Sequence, residues 1–138
     1  MKRQPFPLAD QVPDQLRGVL LDFWWDAERP WQLDLPVTRF PVERLCWQLD
    51  LPMWAVHGVP FQVSPAQVAA APDRYPVQHA RTMAADLRYP LHIAWLTGRP
   101  TVLDGVHRLL GAQLAGHPTV LVKVVPDDRF DDFAVPAP

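Results

Sequence analysis

The chain has 138 residues, 49% of them hydrophobic and 20% charged, the composition of one globular domain able to bury a core of its own. A formal net charge of −2 supplies no bulk attraction to DNA or to an anionic membrane, and no apolar run approaches the ~20 residues that span a bilayer. A single cysteine, Cys46, excludes an internal disulfide and a cysteine-based zinc cluster, and fits a reducing, cytoplasmic setting.

The opening stretch MKRQPFPLADQ is basic but lacks the apolar segment of a signal peptide. Seventeen prolines are scattered along the chain and divide it into short elements. In residues 13–28, Leu16, Val19, Leu20, Phe23 and Trp24 recur at helical spacing behind a proline, which predicts a first helix. Pro30 and Pro36 then interrupt the chain, and Val37–Pro41 is a candidate strand followed by a brief helical turn over 41–47. The hexapeptide WQLDLP occurs twice, at 31–36 and 47–52, without matching flanks, so it marks no structural repeat.

Ser64 and Pro65 give an N-cap and a first helical residue for a helix over 63–72 that Pro72 stops. A second helix is predicted over 76–87, between Pro76 and Pro90. Leu91–Leu96, a turn at 97–100 and a strand at 101–103 read as a hairpin. A helix over 105–115 follows, closed by Gly116 as a C′ glycine. Residues 119–125, TVLVKVV, form a strand apolar on both faces and therefore central. The stretch PDDRFDDFAVPAP is an acidic, proline-tipped tail, frayed or draped over the surface. The fold class is α+β, with helices around a small mixed sheet.

The chemistry concentrates at Asp104-Gly105-Val106-His107-Arg108. Val106, Leu109, Leu110 and Leu114 share one face of the helix after Gly105 and form its core side. His107 and Arg108 lie off that face, beside backbone N–H groups that lack an intrahelical acceptor. Cations in the first turn are mildly unfavourable against the positive end of the helix unless an anion arrives. Free amides, a glycine without a blocking side chain, a guanidinium fork and an imidazole together describe an oxyanion site, most naturally for phosphate. Asp104 has two further readings, a helix cap paired with Arg108 or a ligand for magnesium that travels with phosphates.

The segment VLDGVHRLLGAQLAGHPTVLVKVV resembles the central motif of the ParB/sulfiredoxin-like superfamily. There a hairpin strand leads through a glycine turn and a His-Arg or Arg-Arg pair into a helix, an Ala-Gly turn and a terminal strand. RFPVERL resembles the usual opening strand and turn, so the resemblance spans residues 37–126. The motif is closest to the free serine kinase relatives, whose Asp-Gly-His-His-Arg turn is matched at Asp104, Gly105, His107 and Arg108. The resemblance implies a nucleotide (ATP, ADP or CTP), with or without Mg2+, held at Asp104, Gly105, Val106, His107 and Arg108.

Two departures narrow the expectation. Val106 stands where sulfiredoxins carry their catalytic cysteine, which argues against their chemistry. No helix-turn-helix follows the motif in these residues, which argues against DNA partitioning and direct duplex DNA binding. Asp50 lies about where the kinase relatives place an acidic base, so Asp50 and His107 are the candidate catalytic pair for a small-molecule phosphotransferase. The alternative for Asp50 is a turn residue before Pro52.

The resemblance leaves room for His79 and Arg81 to point into the same pocket as a second basic group from a preceding helix, but the plainer readings are a solvated helix face for both, a half-buried structural role for His92, and a small buried hydrophobe for Cys46. Trp47 and Trp54 flank Asp50 and suit either core packing or stacking on a base. The expected organisation is a helical extension over 1–36 packed on the core, a ParB/sulfiredoxin-like domain over 37–126 and a tail over 127–138. The expected function is nucleotide or phosphate binding, with a non-catalytic regulatory or interaction module as the alternative. No metal site of its own and no membrane contact are expected, and a protein partner or homodimer remains open.

Overall fold

The computed structural model describes residues 5–6 and 8–134. In chain order, the strands among them are β1 (Val37–Pro41), β2 (Trp54–Val56), β3 (Val59–Val63), β4 (Leu91–Leu96), β5 (Arg99–Asp104) and β6 (Thr119–Val124). The α-helices are α1 (Glu28–Trp31), α2 (Pro65–Ala70), α3 (Pro76–Met83) and α4 (Val106–Leu114). The fold is α+β around a four-stranded mixed sheet of order β1-β6-β4-β5. β6 pairs antiparallel with β1 and parallel with β4, and β4 forms the hairpin with β5.

The interior position of β6 follows from its apolar run, but its two faces are not equal. Val120 and Val122 are buried, whereas Leu121 and Lys123 are only partly covered. Side chains alternate across a strand, and the two faces of this sheet therefore carry two separate cores. On one face Val102, Leu91, Ile93, Val120 and Val122 meet Leu109 and Leu110 of α4, Val68 of α2, and Leu45 and Leu49. On the other, Ala94 and Val125 meet Leu21, Phe23, Leu33, Phe130 and Ala134, contributed by the N-terminal segment and the end of the chain. Each fully buried leucine is worth about 1.5–3 kcal/mol of transfer free energy, so both faces matter.

Local signals explain the elements on the first face. Ser64 and Gln67 form a reciprocal capping box: the Gln67 amide donates to Ser64 Oγ at 3.1 Å and the Ser64 amide to Gln67 Oε1 at 2.9 Å. α3 stops at Met83, earlier than the expected limit at 87, and Asp86 accepts from the Arg88 amide in the turn beyond it. The β4–β5 turn is two residues long, Thr97-Gly98, both at positive φ (+50° and +80°), the backbone that a tight hairpin needs. β5 consequently begins at Arg99, two residues earlier than expected. The edge of β5 is closed by Gln48 from the 3-10 turn Cys46–Asp50. Its Oε1 accepts from the Val102 amide at 2.8 Å while its Nε2 donates to the Leu45 carbonyl, and the residue is completely buried.

Four expectations need correction. No helix runs over 13–28: 3-10 turns at Ala9–Gln11 and Asp14–Leu16 are followed by irregular and extended chain. Gly18 sits at φ +78° against the Thr97 side chain, a left-handed conformation that ends any helix there. Beyond it Leu21 and Phe23 alternate into the second core, with isolated bridges from Pro5 to Phe23 and from Trp25 to Ala134. The N-terminal segment thus packs on the sheet as extended chain instead of as a helix. Second, the β2–β3 hairpin was not expected. Its turn is His57-Gly58, both at positive φ, and neither strand carries a period long enough to stand out. Third, Leu114 is 50% exposed and Ala112 is buried in its place, because α4 ends there and overhangs the core. Fourth, residues 127–134 are not frayed. They form a 3-10 segment, Asp127–Phe133, whose Phe130 is buried in the second core. Residues 135–138 of the expected tail lie outside the described residues.

No helix among the described residues is long and apolar enough to cross a membrane.

Candidate functional site

The hairpin delivers Asp104 to the end of β5, and Gly105 turns the chain into α4. Gly105 adopts φ +113°, and a Cβ there would lie 2.9 Å from Leu91 Cγ and 3.1 Å from Arg108 Nη2. Glycine is required here by the backbone and by this close packing. The expectation that it clears space for a ligand is therefore revised: Leu91 and the Arg108 guanidinium fill the room. Gly105 is the N-cap of α4 and no side chain caps the helix, so the first-turn amides remain available to a ligand. Asp104 is not the cap. Its Oδ2 accepts from Trp31 Nε1 at 3.3 Å and from Arg108 Nη2 at 3.4 Å.

Arg108 is held firmly. Its Nη1 donates to the Pro90 carbonyl at 3.0 Å, its guanidinium lies 5.4 Å from the centre of the Trp31 ring, and its side chain is 15% exposed. Removing it would leave the Pro90 carbonyl and the Asp104 carboxylate short of a donor, so the residue supports the fold as well as any ligand. Trp31 is the hub of this side. It also meets His92 edge-on at 4.8 Å and Tyr89 at 6.1 Å, with the Lys123 ammonium 5.9 Å from its ring centre. His92 is completely buried, more deeply than its half-buried expectation. Burial, opposed by the nearby Asp104 charge, lowers its pKa.

His107 turns to the other side of α4. Its ring stacks on Trp54 with centroids 4.2 Å apart and planes 9° from parallel. Gln78 Nε2 donates to the Ala55 carbonyl, so its Oε1 is the acceptor facing His107 Nε2 at 2.8 Å. Nε2 therefore carries the proton of a neutral imidazole. Burial, with the positive charges of Arg81 and Arg108 adding to it, pushes the His107 pKa down to about 4. A neutral ring with its N–H engaged by an amide is a poor proton carrier near neutrality. Val106 packs against the first core, so it offers a ligand only its backbone.

Beside this turn opens a cavity of about 430 Å³ lined by Arg81, Ala84, Ala85, Asp86, Tyr89, Asp104, Gly105, His107 and Arg108. Arg81, read from the sequence as part of a solvated face, is thus brought to the site from α3, without an ion-pair partner among the described residues. Nothing in the spacing of α3 separates Arg81 from a surface arginine; only the packing of α3 on α4 does. Asp86 also lines the cavity, with its carboxyl held down to about 2 by hydrogen bonds from Arg88. His79 is not among the lining residues.

Asp50 is not brought to the cavity. It is exposed at the end of the Cys46–Asp50 turn, where its charge acts on Cys46. Cys46 in turn accepts from Gln113 near the far end of α4. The Cys46 thiol is pushed up by burial, which favours the unreactive protonated form. Trp47 donates from Nε1 to the Pro100 carbonyl and is covered by the Arg99 guanidinium at 3.4 Å, away from the turn.

Among the described residues no group of three or more His, Cys, Asp or Glu side chains is placed to hold a metal by itself. Magnesium bound chiefly through phosphates needs only one or two carboxylates. Asp104 fits that lesser role through Oδ1, since both of its described bonds are made by Oδ2. No protein-family model, no curated protein and no solved structure matches the chain.

Proposed function

We propose that the chain is a ParB/sulfiredoxin-like domain that binds the phosphates of a nucleotide at residues 104–108. The observation that carries this reading is the convergence on one open cavity of Arg81, Arg108 and the uncapped first turn of α4. Helix amides and guanidinium forks are the groups that hold phosphate oxygens. The order of elements, hairpin, glycine turn, helix, Ala-Gly turn and interior strand, is the order the motif resemblance calls for. His107, neutral and with its Nε2–H given to Gln78, offers phosphate no donor, so the anion contacts fall to Arg81, Arg108 and the first-turn amides. Were a nucleotide to bind with magnesium, Asp104 is the carboxylate that would hold the ion, which would supply neutralisation of the phosphate charge.

Between the two activity classes the geometry favours a binding module over a phosphotransferase. A transferase needs a base within reach of the acceptor hydroxyl. Asp50 lines no part of the cavity, Asp86 is engaged by Arg88, and His107 Nε2 is engaged by Gln78. A thermal-shift series with ATP, ADP, CTP and inorganic phosphate, each with and without Mg2+, tests the proposal. A nucleotide should raise the melting temperature in proportion to the logarithm of its concentration. A flat response to all of them at millimolar concentration would overturn it. Phosphoryl transfer to an added hydroxyl compound would restore the enzymatic reading.

A further inference from the structure

At the opposite end of the hairpin from Asp104 lies a surface that carries both signs of charge around an exposed indole. Trp95, the fifth residue of β4, is 45% exposed. The Arg44 guanidinium sits over its ring at 5.2 Å and over Phe40 at 5.0 Å. Trp95 pairs across the hairpin with Pro100, whose carbonyl holds Trp47, itself covered by Arg99. Arg44 and Arg99 thus each lie over aromatic rings on this flank, and neither has an ion-pair partner among the described residues. The other flank of Trp95 is a groove of about 470 Å³ whose lining includes Leu20, Phe23 and Phe130, together with the carboxylates Asp22 and Asp127. Asp22 and Asp127 are exposed and likewise unpaired among the described residues.

We propose that this end of the molecule is an interface with a second copy of the chain, related by a two-fold axis near Trp95. A two-fold axis places each surface patch against the same patch of its partner. A patch with a basic flank and an acidic flank on either side of an apolar centre is complementary to itself under that rotation. Arg44 of one copy meets Asp22 and Asp127 of the other, twice, and the two grooves receive the two indoles. Guanidiniums already stacked on aromatic rings have lost much of their rotamer freedom, so less is given up on docking. The same basic flank would suit an acidic peptide, but the acidic flank beside it would repel that ligand and favours the self-pairing arrangement. The site at 104–108 takes no part, so the interface stands or falls independently of nucleotide binding.

Charge reversal tests the arrangement in solution. Sedimentation velocity of the wild-type chain should show a concentration-dependent dimer. Arg44→Glu alone and Asp22→Lys/Asp127→Lys alone should each weaken self-association by about tenfold or more, since like charges then oppose each other at both contacts. An equimolar mixture of the two variants should dimerise again, because one contact is then reversed pair to reversed pair and the other is wild type. Trp95→Ala should be monomeric with an unchanged circular dichroism spectrum. A wild-type chain that stays monomeric up to about 500 μM, which puts any dissociation constant in the millimolar range or weaker, would overturn the proposal. Variants that associate as well as wild type, or a mixture that stays monomeric, would do so as well.

Discussion

The two faces of the central sheet are covered by different kinds of structure. One face is covered mainly by helices and 3-10 turns, each started or stopped by a recognisable residue: Ser64 and Pro65 for α2, Pro76 for α3, Gly105 for α4. The other is covered mainly by irregular and extended chain, residues 16–35 with the single turn of α1 and residues 125–134 with a 3-10 segment, held by Leu21, Phe23, Leu33 and Phe130. The covers meet at the turn 104–108, where His107 belongs to the helical side through Trp54 and Arg108 to the draped side through Trp31. The candidate site is thus braced from both sides of the sheet. A helix end that looks like an isolated loop feature in the sequence is a junction of two cores.

If both covers belong to one cooperative unit, truncating either core should lower the same transition. Leu110→Ala on the helical face should cost about 2–5 kcal/mol and Phe23→Ala on the draped face about 3–5 kcal/mol, with one melting step in each case. Denaturant unfolding followed by far-UV circular dichroism and by tryptophan fluorescence checks this. A Phe23→Ala protein that loses fluorescence before ellipticity would show that the draped cover is a separate, weaker unit.

The junction itself is tested by Gly105→Ala. The φ of +113° and the close approach of Leu91 and Arg108 should together cost about 1–3 kcal/mol. A melting temperature at or above that of wild type would mean that the turn is slack. Arg108→Ala comes next. A residue that served only a ligand would leave stability unchanged on its removal. The bonds to the Pro90 carbonyl and Asp104 instead predict a loss of about 1–2 kcal/mol, in addition to nucleotide binding at least about tenfold weaker. Asp50→Asn, exposed and outside the cavity, should change neither.

A further effect, no larger than that of Arg108→Ala, is one of pH. His107 is neutral when folded, with a pKa of about 4, and ordinary when unfolded. Between those values the unfolded chain binds the extra proton, so stability should rise with pH from about 4 to about 6.5 and level off above. The buried His92 contributes in the same direction. After allowance for solvent at the partly covered ring, the His107 part is roughly 1–2 kcal/mol. His107→Phe, which keeps a ring against Trp54, should flatten the slope measured by melting at a series of pH values. An unchanged slope would move the titration elsewhere.

The difference between the two faces also explains what could be read from the sequence. β1, α2, the 91–104 hairpin, α4 and β6 were legible because caps, prolines and periodicity act within a few residues. Over 13–28 the same periodicity misled. Leu16, Val19 and Phe23 do face a core, but Gly18 in a left-handed conformation converts helical spacing into extended alternation. At the site, Asp104, Gly105 and Arg108 were legible from the turn, and the pairing of Asp104 with Arg108 was one of the two readings open. Arg81 was the less favoured of two readings, and Gln78 and Trp31 were not legible at all. They reach the turn from 23 or more positions away in the chain, through packing that no local spacing encodes.

Arg81 gives the most direct test of the site. It lines the cavity, is exposed and makes no ion pair among the described residues, so its removal should leave the fold alone. Calorimetric titration of the wild type and of Arg81→Ala, with the nucleoside triphosphate that gives the largest thermal shift, separates ligand binding from stability. Arg81→Ala should keep the wild-type melting temperature and bind about tenfold more weakly, the loss of one guanidinium–phosphate bond. Equal affinity in the two proteins, or no binding by either, would contradict a phosphate site at this turn.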